Sequence, residues 1–216
     1  MLVNRLQRHL ENLYEVRSGY QVADFLIDDP CLARRLDRTR NPRDIPEKLL
    51  IHQDGDSLNL ALYLDRDLLQ RLADDDPTES LHGQNLHDFW MALEGISHFI
   101  YLTWNAGHQR SVTLLEMELQ AEIDKYILAA VLFGRQTQGL VPTTLYARLF
   151  NDTSFDQRLD ATERRRYHRA NYFAGRFCSY LEKEFLQPGA RRGLINTLRR
   201  FYRLTQQRKI TAIQAL

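Results

Sequence analysis

Leucine alternates with other residues between Leu58 and Leu64, where the sequence reads LNLALYL. Because successive side chains of a strand point to opposite faces, this period of two predicts a β-strand with one buried face. Residues 48–53 are apolar enough to form a partner strand, and the Asp-Gly-Asp-Ser segment between them has strong turn chemistry. The pattern therefore predicts an antiparallel β-hairpin over residues 48–64, with its leucine face packed on helices and its two outer edges open.

Apolar residues recur every three or four positions through most of the remaining chain, which is the period of an amphipathic α-helix. Two long helices are predicted in the centre, over residues 86–105 and 114–133, and their short link makes them antiparallel neighbours. Asn85 is a predicted N-cap of the first, and Thr113 is predicted to begin the second through a capping box with Glu116. Shorter helices are predicted at residues 2–15 and 31–36 and directly after Asp65.

The C-terminal quarter of the chain is also predicted to be helical. Asp160 and Glu163 are predicted to cap a third long helix over residues 160–186, and two shorter helices follow a Pro-Gly break. The fold class is therefore mainly α with a small β-hairpin (α+β), a helical bundle with one two-stranded antiparallel ribbon packed against it. Helices that bracket one hairpin indicate a single domain over residues 1–216.

The composition is typical of a folded globular protein. The chain has 216 residues, 44% of them hydrophobic, with ten glycines and six prolines, which excludes a disordered or collagen-like chain. The first residues hold no apolar segment of signal-peptide length, and the longest apolar stretch, residues 89–104, is shorter than the ~20 residues of a membrane span. We therefore expect a soluble, cytoplasmic protein without a membrane span. Cys31 and Cys178 are expected to be reduced thiols in the core.

The near-neutral net charge of +1 conceals a strong asymmetry along the chain. Residues 160–216 hold thirteen basic and four acidic side chains, a net charge of +9, and residues 1–159 hold sixteen basic and twenty-four acidic side chains, a net charge of −8. Such a division is compatible with an anionic partner for the basic portion. It is equally compatible with an acidic and a basic portion of one fold that pack together.

A histidine and several glutamates are candidates for a polar site between the two central helices. Glu94 and His98 are four residues apart, so both lie on one face of an otherwise apolar helix, and His87 extends that face. The facing helix carries Glu118 and Glu122, again four apart. This pattern makes His87, Glu94 and His98 candidate metal ligands, and Glu94, His98, Glu118 and Glu122 candidate catalytic groups.

Two structural interpretations compete with a chemical one. The Glu-x-x-x-His spacing differs from the Glu-x-x-His of di-iron bundles and from the HExxH of zinc hydrolases. In the first, these side chains form a buried polar network that fixes the register of the two helices but catalyses no reaction. In the second, they form an exposed row of charges that neither fixes the register nor takes part in chemistry. The sequence also has no nucleophile elbow, phosphate-binding glycine loop or dinucleotide fingerprint. An enzyme is therefore less expected than a non-catalytic protein, and no cofactor is predicted other than a metal at this face.

The basic C-terminal portion is a candidate surface for nucleic acid or another anion. Arginine suits bidentate contacts with phosphate, and tyrosines interleaved with the arginines suit stacking on bases, although no recognised nucleic-acid-binding motif accompanies them. The candidate residues are Arg164, Arg165, Arg169, Arg191, Arg192, Arg199, Arg200 and Arg203.

The absent catalytic motifs, the open hairpin edges and the divided charge together favour a non-catalytic interaction or assembly module. Its partner would be another protein or a second copy of the chain. Nucleic-acid binding through the arginine-rich C-terminal helices is one alternative hypothesis. A metal-dependent or acid–base enzyme centred on Glu94 and His98 is the other.

Overall fold

A computed structural model describes residues 1–39, 43–55, 57–152 and 156–216 of the chain. The helices are α1 Leu2–Tyr14, α2 Pro30–Leu36, α3 Arg66–Asp74, α4 Leu86–Gly107, α5 Leu114–Gln136, α6 Ala161–Leu181, α7 Arg191–Tyr202 and α8 Gln206–Gln214. The strands are β1 Leu26–Ile27, β2 Glu47–Asp54 and β3 Ser57–Leu64. This part of the chain is mostly helical with a small mixed sheet, which confirms the predicted fold class in outline.

The hairpin is confirmed, but the sheet has a third strand. β2 and β3 pair antiparallel along their full length, from Glu47 opposite Leu64 to Asp54 opposite Ser57, and Asp56 of the predicted turn lies outside the described residues. β1 pairs parallel with the end of β3, so the predicted two-stranded ribbon with two fully open edges is wrong in this detail. A strand of two residues is too short to produce a visible period in the sequence.

The central helices α4 and α5 pack on one another, as predicted, and the other elements surround them. α6 packs against α5, and α1, α3 and the sheet pack against α4. Both central helices are therefore covered on several faces and carry buried residues nearly all the way round. Leu62 and Leu64 of β3 are fully buried and join one core cluster with side chains from α1 and from α4 to α8. No helix in the described ranges is long and apolar enough to cross a membrane.

Helix ends agree with the sequence where the capping side chains make their local hydrogen bonds. Asp160 and Glu163 form the complete capping box of α6, which ends at Leu181 and continues as a π-helical turn, Glu182–Leu186. The predicted box at Thr113 is only half made, because the Glu116 carboxylate accepts a hydrogen bond from the Tyr101 hydroxyl at 2.6 Å instead. Long-range partners of this kind are not visible in local sequence.

Two further predictions are only partly right. Asn85 is the N-cap residue of α4, as predicted, but its side chain makes no capping bond, because its Oδ1 accepts from the backbone N–H of His82 at 2.9 Å within the preceding turn. Cys178 is buried, as predicted, but Cys31 is exposed, so its assignment to the core is wrong. Cys31 lies in the first turn of α2, and the side of this short helix that packs on the sheet is the one that carries Ala33.

Gly95 allows the sheet to approach α4 closely. A Cβ at this position would lie 2.6 Å from Oε1 of Glu47 and 2.6 Å from Cδ1 of Leu62. We expect Gly95→Ala to lower the free energy of unfolding by about 1–3 kcal/mol, the usual effect of overpacking. Gly107, the last residue of the same helix, is the matched control, since a Cβ there meets no atom within 4 Å. Urea unfolding checks both variants, and equal stabilities for them would contradict this explanation.

Candidate functional site

Seven charged or titratable side chains from four elements meet beside Gly95. We call this group the α4–α5 cluster, and it consists of Glu47 from β2, Glu94 and His98 from α4, Glu118, Glu122 and Lys125 from α5, and Arg166 from α6. Each element turns its polar residues toward the same region, where α4 is covered by the sheet on one side and by α5 on the other. The cluster is thus built at a junction that buries charge.

Three of its members bring metal-ligating atoms together. One ligating atom each of Glu94, His98 and Glu118 lies within 4.8 Å of the others, and Nε2 of His98 is 3.5 Å from Oε2 of Glu118. His98 and Glu118 are each only 8% exposed. The side chain of Glu94 is 25% exposed, so solvent reaches this group from the Glu94 side.

Lys125 joins two carboxylates of the cluster. Its Nζ donates to Oε2 of Glu94 at 2.9 Å and to Oε1 of Glu122 at 2.6 Å. Burial alone would raise the pKa of Glu94, but the charges of Lys125 and His98 outweigh it and the pKa is lowered. For Glu122 burial outweighs the attraction of Lys125, and the pKa is raised. Burial would lower the pKa of Lys125 itself, but the two glutamates outweigh that effect and raise it.

His98 and Glu47 hold protons near neutral pH. Burial would lower the pKa of His98, but its close contact with Glu118 and the charges of Glu118, Glu47 and Glu94 raise it to about 9. Burial, followed by the charge of Glu94, raises the pKa of Glu47 to about 8. Nδ1 of His98 and Oε1 of Glu47 are buried, and no described residue provides either atom with a hydrogen-bond partner. The cluster thus contains unused donor and acceptor capacity.

The charges of the cluster do not balance without added positive charge. Its four carboxylates, on Glu47, Glu94, Glu118 and Glu122, face two permanent cations, Lys125 and Arg166, whose Nε lies 3.5 Å from Oε1 of Glu118. Two negative charges are therefore left over in a largely buried site, where unpaired charge is strongly unfavourable. Protons on His98 and Glu47 neutralise this excess, and so would one divalent cation.

The structure separates the residues that the sequence grouped as candidates. Glu94, His98 and Glu118 converge, and Glu122 is joined to them through Lys125. His87 is exposed and does not belong to the ligating group, so α4 does not present it with Glu94 and His98. Sequence reasoning missed Glu47 and Arg166, because each comes from an element distant in the chain and has no local motif.

Two of the candidate anion-binding arginines serve the fold instead. Nη1 of Arg199 lies 3.1 Å from Oε2 of Glu15, and Arg203 donates to the backbone carbonyls of Tyr14 and Glu15 at 3.0 and 2.9 Å. Both therefore bind the C-terminal end of α1, which favours positive charge. The basic and acidic portions of the chain pack together here. The other candidates are exposed, and they are Arg164, Arg165, Arg169, Arg191, Arg192 and Arg200.

A second buried polar group lies on the opposite side of α5. We call it the Asp124 cluster, and its members are Tyr14, Ser97, Gln120, Asp124 and Lys209. The Asp124 carboxylate accepts three hydrogen bonds: one from the Tyr14 hydroxyl, one from Ser97 Oγ at 2.6 Å and one from Gln120 Nε2 at 2.8 Å. Nζ of Lys209 donates to Oε1 of Gln120 at 2.7 Å and lies 4.4 Å from the ring centroid of Tyr101. Burial raises the pKa of Asp124 to about 6 and lowers that of Lys209 to about 7. The fully satisfied bonds of Asp124 indicate a structural role.

The α4–α5 cluster and the Asp124 cluster differ in whether their polar groups are fully paired. The α4–α5 cluster has an excess of carboxylates, unpartnered buried atoms and partial access to solvent, whereas the side chains around Asp124 satisfy one another. Comparisons with family models, curated proteins and solved structures found no match to this chain. The geometry of the α4–α5 cluster is therefore the main indication of function.

Proposed function

We propose that the protein binds a divalent transition-metal ion through Glu94, His98 and Glu118. The observation that carries this proposal is the convergence of their ligating atoms to within 4.8 Å of one another between α4 and α5. A metal ion needs several ligands within a few ångströms of one point, and a separation of 4.8 Å or less is compatible with a shared ion. The buried Nδ1 of His98, which has no hydrogen-bond partner among the described residues, adds unused ligating capacity.

The charge of the α4–α5 cluster supports the same conclusion. One divalent ion would cancel the excess of two negative charges without requiring protons on His98 or Glu47. Burying carboxylates is costly unless they are paired or coordinate a metal. The negative charge of the four carboxylates around His98 therefore needs positive charge nearby. Lys125 and Arg166 supply half of it.

The donor set indicates the kind of ion. Imidazole nitrogen combined with carboxylate oxygen suits Zn²⁺, Mn²⁺ or Fe²⁺ better than Mg²⁺ or Ca²⁺, which prefer oxygen ligands alone. Three protein ligands would leave a coordination position for water or a substrate, as in catalytic rather than structural metal sites. The bound ion would supply Lewis acidity, while the hydrogen bond from Lys125 orients Glu94 and the charge of Arg166 lies 3.5 Å from Glu118.

Calorimetric titration of chelator-treated protein with Zn²⁺ and Mn²⁺ tests the proposal. We expect the wild type to bind about one ion per chain and His98→Ala to bind it more than about 100-fold more weakly, since even outer partners of a ligand contribute 10- to 100-fold. His87→Ala is the matched control, because it removes an exposed histidine from the same helix. This variant is expected to bind like the wild type.

Two results would indicate that the α4–α5 cluster is a purely structural network. No binding to the wild type, or equal binding to His98→Ala, would contradict the proposal. Thermal unfolding of each variant shows whether it is folded. If His98→Ala does not fold, Glu94→Gln replaces it, because Glu94 is the most exposed of the three ligands and glutamine preserves its volume.

A further inference from the structure

One face of α6 is exposed, basic and free of acidic side chains. The single acidic residue of this helix is Glu163 in its first turn, where it completes the capping box and pairs with Arg43 at 3.0 Å. From that turn to the end of the helix, the exposed side chains of this face are Arg164, Arg165, His168, Arg169, Tyr172 and Arg176. We call these six residues the α6 face.

The arrangement of the α6 face follows helical geometry. Arg165, Arg169, Tyr172 and Arg176 are spaced four, three and four residues apart, so they form one row along the helix surface. With a rise of 1.5 Å per residue, the row is about 16 Å long. It is therefore long enough to contact a few successive phosphates of an extended chain.

Tyr172 is one of two described tyrosines that are more than half exposed, at 56% against 55% for Tyr20, and it is the one that lies on α6. Its ring lies edge-on to the ring of Phe173, with centroids 5.3 Å apart, so one neighbour steadies it while much of the ring remains accessible. The aromatic ring thus stands in the middle of a row of arginines. Exposed aromatics flanked by positive charge suit stacking on a planar, anionic partner.

The arginines of this row are available for a partner. No carboxylate of the described residues forms an ion pair with Arg165, Arg169 or Arg176. This distinguishes them from Arg166 on the buried side of the same helix, which pairs with Glu118. A row of guanidinium groups without carboxylate partners is suited to bind phosphates, often through two hydrogen bonds each.

We propose that the α6 face binds single-stranded nucleic acid, with its arginines on phosphates and Tyr172 stacked on a base. Bases present their flat faces to a side chain only when they are unpaired, which favours a single strand over a duplex. This inference does not depend on the metal site, which lies on the other side of α6 beyond Arg166. It narrows the predicted basic surface to one helix and one aromatic residue.

Fluorescence anisotropy with a labelled oligothymidylate tests the inference. If about four phosphates are neutralised, the slope of log affinity against log salt is about −2.8, so affinity falls about 50-fold between about 50 and 200 mM salt. Tyr172→Ala is expected to weaken binding about tenfold without changing this slope, and Tyr172→Trp to retain it. Replacing Arg165, Arg169 and Arg176 together with glutamine is expected to reduce the slope by about 2.

The control removes the same charge from α7, by replacing Arg191, Arg192 and Arg200 with glutamine, and is expected to bind within a few-fold of the wild type. If this control and the α6 variant lose the same affinity for the oligothymidylate, the loss is explained by net charge alone, and the inference is overturned. Unchanged affinity of Tyr172→Ala would do the same, as would equal affinity for duplex DNA. Absence of binding at low salt would overturn it outright.

Discussion

Replacing Lys209 with methionine is expected to change the pH dependence of stability by about 3–4 kcal/mol between pH 7 and 10. Lys209 is fully buried, and burial lowers its pKa to about 7 from an ordinary value of 10.5. Between these two values the unfolded chain holds a proton that the folded chain has released. The contribution of Lys209 to stability therefore improves as pH rises from about 7 to about 10.5.

The methionine variant has no proton to exchange at this position. Relative to the wild type it is expected to be most favoured at pH 7 and below, and to lose that advantage toward pH 10. Urea unfolding of both proteins at pH 7 and pH 10 measures the change. Lys183→Met is the control, because Lys183 is exposed, and its difference from the wild type is expected to stay constant. A Lys209→Met curve parallel to that of the wild type would contradict the account.

Replacing Lys125 with methionine is expected to destabilise the metal-free protein by about 3–5 kcal/mol. The change leaves Glu94 and Glu122 without the cation that bridges them, and breaking a buried ion pair by removing one partner typically costs this much. Added Zn²⁺ is expected to raise the melting temperature of this variant more than that of the wild type, because the excess of negative charge is larger.

A control for this effect removes an exposed ion pair. Arg66 pairs with Asp28 at 3.1 Å, with side chains 73% and 46% exposed, so Arg66→Met is expected to have little effect on stability. Chemical unfolding with and without zinc measures both variants. If Lys125→Met is as stable as Arg66→Met, Lys125 does not stabilise the buried charges of Glu94 and Glu122.

Local periodicity was sufficient to predict most of the fold. The alternation of leucines predicted β3, and the three- to four-residue repeat predicted the central helix pair, because burial of one face imposes these periods. β1 was not predicted, since its two residues are held by their pairing with Leu62 and Tyr63 rather than by a pattern of their own. Assembly through a strand edge stays a prediction.

The candidate site was only partly predictable from the sequence. The four-residue spacing of Glu94 and His98 places them on one face of a helix, and the short link to α5 brings Glu118 opposite them. Glu47 and Arg166 depend on how β2 and α6 pack on that pair, and the approach of β2 depends on the missing side chain of Gly95. No local motif records such packing, so the excess of carboxylates became visible only in three dimensions.

The most direct test of the metal site is an anomalous difference map from crystals grown with Zn²⁺. We expect one peak between α4 and α5, about 2.0–2.2 Å from a nitrogen of His98 and from carboxylate oxygens of Glu94 and Glu118. A map without a peak there, in which Lys125 still bridges Glu94 and Glu122 and His98 still faces Glu118, would contradict this expectation. The α4–α5 cluster would then be a self-neutralised structural network.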